Sequence, residues 1–179
     1  MANIKWNLDP THSELQFKVK HLMITNVTGT FTDFSVEAES EDEHFNAPVI
    51  SFAAKISSIN TANEQRDGHL KSGDFFDAEN YPKLVFKSSL VKNKDEDGNF
   101  ELVGDLTIKD VTKQVTLKVE FGGIAKDPWG NVKAGFTVNT KINRTDFGLT
   151  WNAPIETGGV LVSEEVKIAA EIQLVKAIN

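Results

Sequence analysis

Cysteine is absent from this 179-residue chain, which excludes disulfides, thiolate nucleophiles and cysteine-ligated zinc. A cluster of Lys and Arg is missing too. The 19 basic residues stand against 26 acidic ones, for a net charge of -7, and that balance argues against a nucleic acid as partner, since phosphate binding needs a local excess of cations. No apolar run approaches the roughly 18 residues of a membrane-spanning helix, so the chain is not expected to span a membrane. The segment Met1 to Asp9 enters polar alternating sequence without the apolar stretch of a secretory leader. The expected location is therefore cytoplasmic as sequenced, or periplasmic if a leader has been removed. With no internal repeat and no linker-like stretch, residues 1–179 read as one domain, long enough to enclose a cavity.

What the sequence does have is alternation. Leu15, Phe17, Val19 and His21 alternate with Glu14, Gln16, Lys18 and Lys20, giving a strand with one apolar and one solvent face. Val27, Gly29 and Phe31 keep the odd phase while Phe34 and Val36 are even, which requires a bulge or tight bend near Thr32-Asp33. The acids between 37 and 43 read as an exposed loop. Apolar faces at 50–56, 84–90, 100–108, 115–121, 132–142 and 166–174 bring the count to about eight strands. A hairpin turn is expected at 110–113 and an acidic turn at 93–99. The predicted fold class is all-β, an eight-stranded antiparallel barrel rather than a sandwich, because strands this long would leave a sandwich with unprotected edges.

Residues 61–82 break the period. A helix over 63–72 is predicted from Thr61 or Asn63 as N-cap, Glu64 and Asp67 in the first turns, Lys71 near the end and Gly73 as the stop. Gly68 weakens it by roughly 1 kcal/mol relative to Ala, so tertiary packing must hold it. Phe75 and Phe76 follow, then a turn at Tyr81-Pro82. Such an insertion can plug or cap one end of a barrel.

Taken in order, several fragments together resemble one family. They are Trp6, Leu8, Asp9, His12 and Ser13; Phe17, Val19, His21 and Leu22; Val27, Gly29 and Phe31; Arg66, Asp67, His69, Leu70, Ser72, Asp74, Phe75 and Phe76 through Tyr81-Pro82; Gly104, Leu106, Thr107 and Ile108; and Arg144, Asp146, Phe147, Gly148 and Leu149. The chain resembles the YceI-like proteins, lipocalin-like barrels that bind polyisoprenoids. The resemblance implies an apolar tunnel for an isoprenoid lipid or similar amphiphile, held without catalysis. It also turns the reading of the alternating face from a filled core to a lined tunnel. The residues expected to line it are Phe17, Val19, His21, Phe31, Phe52, Leu70, Phe75, Phe76, Phe86, Leu106, Phe136, Phe147 and Trp151. At roughly 0.8 kcal/mol per buried CH2, three or four isoprene units would contribute about 10 kcal/mol before ordering costs.

The remaining polar candidates are weighed on spacing. His12 and His21 differ by nine positions and face opposite sides of a regular strand, so no metal or other cofactor is expected. Arg66, Asp67, Arg144 and Asp146 are expected to form structural ion pairs, Asp67 with Arg144 or Arg66 with Asp146, that anchor the helix to the barrel. Two alternatives to the carrier reading stand: a hydrolase or isomerase using His69 or His21, and a ligand-free interaction module. For the first, Ser13 beside His12 is the one nucleophile candidate, and adjacent residues on a strand point apart. A homodimer is compatible with the sequence, which contains nothing that fixes oligomeric state.

Overall fold

Period-two patterning commits most of the chain to strands, and in the computed structural model, which describes residues 3–153 and 159–178, they form one antiparallel sheet closed on itself. Its strands are β1 (Ile4–Leu8), β2 (Glu14–His21), β3 (Thr25–Phe31), β4 (Phe34–Ser40), β5 (Val49–Lys55), β6 (Ile59–Asn60), β7 (Lys83–Lys92), β8 (Phe100–Ile108), β9 (Val111–Lys126), β10 (Val132–Asn143) and β11 (Val162–Lys176). Hydrogen bonding runs β1-β4-β5-β7-β8-β9-β10-β11 and returns to β1. That ring is the eight-stranded closed barrel. Strand β2 continues the path of β1, and β3 that of β4: β1 pairs with β4 and the end of β11, while β2 pairs with β3 and the earlier part of β11. Each of these two wall paths is bent once, by a 3-10 turn at Pro10–His12 and by a bend at Thr32-Asp33.

The β4–β5, β7–β8 and β9–β10 turns lie at one end of the barrel, the floor. At the other end, the mouth, lie the β2–β3 and β8–β9 turns, the β10–β11 connection and the insertion carrying α1 (Glu64–Lys71). Asn63 caps α1, its side chain accepting from the Arg66 N–H at 3.0 Å. None of the helix residues is fully buried; this lid is held by half-buried Leu70 against the core, by Arg66 and Asp67 on Thr61, and by the segment 72–78. There the backbone folds back on the helix, Phe76 N–H to Leu70 O at 3.0 Å and Ala78 N–H to Lys71 O at 2.9 Å.

Several expectations shift by a residue or two. The helix stops at Ser72, in extended backbone with its N–H returning to His69 O, rather than at a left-handed Gly73. The β8–β9 hairpin turns on Lys109 and Asp110, with Lys109 at φ 56, so Val111 already pairs with Ile108. The first acids of the acidic run belong to β4, where Glu37 is exposed between buried Val36 and Ala38. A register shift between Ser88 and Leu90 turns Leu90 outward and brings Val91 against the core instead. The strand count also left out β1, although its segment reads as polar alternation, and β6.

Two glycines let aromatic rings lie flat on the inner wall. A Cβ on Gly29 would collide with the ring of Phe17, its cross-strand partner, and one on Gly104 would meet both Lys87 O and the ring of Phe86. Both rings are thereby laid along the barrel interior.

Candidate functional site

Inside the barrel is a cavity of about 430 Å³, within the range of about 300–1,000 Å³ usual for ligand pockets. Its shaft is built from the inward positions of the strands: Leu15, Phe52, Leu84, Phe86, Leu102, Leu106, Val138 and Ile168 among them. Among the described residues, no Asp or Glu lines it.

The floor is closed by an aromatic plug. Phe45, from the β4–β5 turn, is 1% exposed and packs on Trp6 at 4.8 Å, Phe136 at 4.7 Å and Phe121 at 5.9 Å between ring centroids. Its backbone is left-handed, φ 57, an unfavourable state for a bulky residue that the surrounding turn enforces. Asp42 accepts from the His44 and Asn46 N–H groups and the Asn46 side-chain amide; that amide, first, holds its carboxyl below the usual value. From β7–β8, Lys94 reaches across to His44 O at 2.9 Å and Asn46 Oδ1 at 2.7 Å. Trp6 is fixed in turn by its indole N–H to Ser40 Oγ at 2.9 Å.

The mouth is closed more thinly. Phe76 meets Phe31 edge-on at 6.2 Å, and Phe31 meets Phe17 at 5.6 Å. Opposite them, His69 of α1 stands between Phe75 at 5.1 Å and Trp151 at 4.7 Å, while its Nε2 lies 2.9 Å from Asp74 Oδ2. Lys20, His21, Arg66, His69 and Arg144 are the cationic or titratable residues that gather at this end of the lining.

The structure places every residue expected in the tunnel along the cavity except Phe147. Phe147 sits in the 3-10 turn Arg144–Phe147, 2% exposed, packed in the core beside the cavity rather than on its wall. The expected anchoring ion pairs are not formed. Among the described residues, none of Arg66, Asp67, Arg144 and Asp146 takes part in a salt bridge. Asp67 instead accepts from the Thr61 N–H at 2.9 Å and Thr61 Oγ1, and Arg66 donates to Thr61 Oγ1 at 2.8 Å and Thr61 O at 2.7 Å. Buried Thr61 thus gathers both helix charges, so the anchor is a hydrogen-bonded threonine. Arg144, 4% exposed, donates to the carbonyls of Ser163, Leu149, Trp151 and Val162 at 2.7–3.3 Å. Burial lowers its pKa, with Glu164 opposing. A planar fork of five donors can satisfy several carbonyls at once, and here it ties the β10–β11 connection to the start of β11.

Outside the cavity, Asp9 joins β1 to β2. It accepts from Lys133 Nζ at 2.6 Å, from Thr11 N–H and Oγ1, and lies 2.9 Å from His12 Nδ1. The Lys133 bond, before the others, holds its carboxyl well below the usual carboxylate range. Ser13 Oγ donates to Asp9 O at 2.7 Å and accepts from Gln173 N–H at 3.0 Å. Its hydroxyl is thus engaged in the bend and lies off the cavity lining. Among the described residues, no group of three His, Asp or Glu is placed to hold a metal ion.

Sequence reasoning gave Phe45, Trp6 and Lys94 no role in closing the floor. One signal was available: Asp and Asn four apart recur at 42/46, 95/99 and 127/131, and each time the Asp carboxylate receives the Asn side-chain amide and two backbone N–H groups. All three are floor turns.

A family model described as the YceI-like domain matches residues 6–174. A UPF0312 protein of Staphylococcus aureus (strain N315) is 41% identical over 170 residues, covering 94% of this chain and 95% of its own. Among solved structures, the YCEI protein of Campylobacter jejuni is 34% identical with a TM-score of 0.75, covering 89% of this chain and 90% of its own. Two more distant chains share the fold: BcnA of Burkholderia cenocepacia, at 22% identity, TM-score 0.77 and coverage of 93% and 98%, and a polyisoprenoid binding domain from Saccharophagus degradans, at 15%, 0.68 and coverage of 96% and 98%. The residues along the barrel and its lid, first read as a resemblance, thus have their counterpart in a match over nearly the whole chain: this protein belongs to the YceI-like family.

Proposed function

We propose that this protein binds the tail of an isoprenoid lipid, or a similar elongated amphiphile, inside the barrel and carries or sequesters it without chemical change. The observation that carries the reading is the apolar cavity of about 430 Å³ running from the Phe45 plug toward the lid. An apolar cavity of this size is poorly wetted and favours an apolar guest. The fold neighbour from Saccharophagus degradans is described as polyisoprenoid binding, and that ligand class is the one carried over here. A non-enzymatic role is supported by the state of the lining hydroxyls. Thr61 Oγ1 donates to Asp67 and Thr140 Oγ1 to Thr116 O at 2.9 Å, so neither is paired with a histidine as a nucleophile would be.

The test is organic extraction of the purified protein followed by mass spectrometry, with about one amphiphile per chain expected. Val138→Trp, which fills the shaft from a half-buried lining position, should fold normally and yield none. A wild-type protein that releases no lipid and binds no added polyprenyl lipid would overturn the proposal.

A further inference from the structure

The β2–β3 hairpin stands at the mouth, directly after His21 of the cavity lining. Its turn is Leu22-Met23, both left-handed at φ 53 and 61, closed by Ile24 N–H to His21 O at 3.1 Å. Two consecutive positive-φ residues are the positions where hairpins favour Asn and Gly, because L side chains larger than these are strained there. This chain instead carries Leu and Met, then Ile. Met23 is 53% exposed and Ile24 77%, so three large apolar residues occupy a tip where folding alone would select small polar ones.

The wall behind the tip is basic in a protein whose net charge is -7. Lys18 lies directly opposite Lys167 across the β2–β11 pairing, and Lys167 opposite Lys141 across β11–β10. Like charges in register weaken a sheet, yet all three stand exposed on the outer face, with exposed Lys20, which also borders the cavity, nearer the tip. Of the acids on this wall, Glu165 is engaged by Lys141 at 3.8 Å, Glu164 stands exposed nearby, and Glu14 lies opposite Glu171 on the same face nearer the floor. Among the described residues, Lys18, Lys20 and Lys167 have no ion-pair partner.

We infer that this face docks on an anionic lipid bilayer, with Leu22, Met23 and Ile24 entering the interface and Lys18, Lys20 and Lys167 lying against the headgroups. Apolar anchors combined with basic residues are what such a surface binds, and the contact would set the cavity mouth against the layer from which a lipid tail is drawn. The inference rests on the carrier reading above.

Full-length protein is sedimented with vesicles of phosphatidylcholine and phosphatidylglycerol in equal parts. Binding is expected, weaker on pure phosphatidylcholine and reduced at high salt, as screening requires. Met23→Asp with Ile24→Asp should weaken it by about tenfold or more, as should Lys18→Glu with Lys167→Glu. Trp129→Ala, which removes a more exposed aromatic from the floor end, 84% accessible, should leave it unchanged. Lipid content by extraction is read in parallel and should be unaltered in the tip variant, whose changed residues lie off the lining. Loss of binding with Trp129→Ala, equal binding by the tip variant, or no binding by lipid-loaded wild type overturns the docking. Intact docking by a protein that carries no lipid overturns the carrier reading instead.

Discussion

The two ends of this barrel close by different means. At the floor, a turn inserts Phe45 into a ring of aromatics and is clamped by Lys94 and Asp42. At the mouth, a helix with no buried residue lies over the opening, supported by Leu70, Phe75 and Phe76 and by backbone bonds to the segment after it. The plug at the floor is fully buried, Phe45 and Trp6 each 1% exposed, whereas no residue of the lid helix is buried, and local opening is expected first at the less buried end. A barrel built this way is expected to keep its bottom fixed while the lid opens first.

The sharpest way to break this contrast is to remove the plug. Phe45→Ala deletes a fully buried ring and should cost about 4 kcal/mol in urea unfolding, as large-to-small changes of buried aromatics do. Amide exchange should then rise first in the floor turns, erasing the difference between the ends. A loss below about 1 kcal/mol would mean that the floor is no more rigid than the lid.

Next in size is Arg144→Ala, about 3 kcal/mol, because carbonyls of Leu149, Trp151, Val162 and Ser163 lose their donor while partly or wholly buried. Arg144 is a deeply fixed point at the mouth, as buried Thr61 is for the lid. Its loss should also free Trp151, so lipid retention measured by extraction should fall along with stability. Unchanged stability would mean that water replaces the guanidinium without penalty.

The barrel was legible because period-two patterning is strong in long amphipathic strands, and the helix because Asn63, Glu64 and Asp67 mark its start. Strand β1 was not, since its five residues hold a single buried side chain, Trp6. Leu90 was misplaced because a bulge shifts phase without a sequence marker. Within the cavity, the inward faces were read well and Phe147 was not, because a 3-10 turn rather than a strand orients it. The expected ion pairs failed for a more general reason. Opposite charges close in sequence to one lid suggest each other as partners, but desolvating a pair is expensive, and Thr61 and four backbone carbonyls satisfy the same groups with little rearrangement. Phe45 directly follows the acidic run 37–43, whose charge invited a purely solvated reading.

The smallest expected effect lies between the two ends, at Asp9, where the wall bends from β1 to β2. Its carboxylate is mostly covered and accepts from Lys133 and Thr11, so the charged form is favoured in the folded protein and its pKa is lowered. The unfolded value is about 3.9. A lowered folded value means that the stabilisation is fully present above the unfolded pKa and is lost as pH falls toward the folded one. Asp9→Asn keeps the shape and removes the charge. At pH 7 its thermal midpoint should be about 2–4 °C lower than wild type, the shift for roughly 1 kcal/mol in a domain of this size. Between about pH 4 and pH 2 the wild-type midpoint should fall faster than that of the variant, and the two curves should converge. Curves that stay parallel would assign the effect to side-chain geometry rather than charge. Because the bend is shared by the floor and mouth paths, exchange at both ends should rise together in this variant, unlike the one-sided response expected for Phe45→Ala.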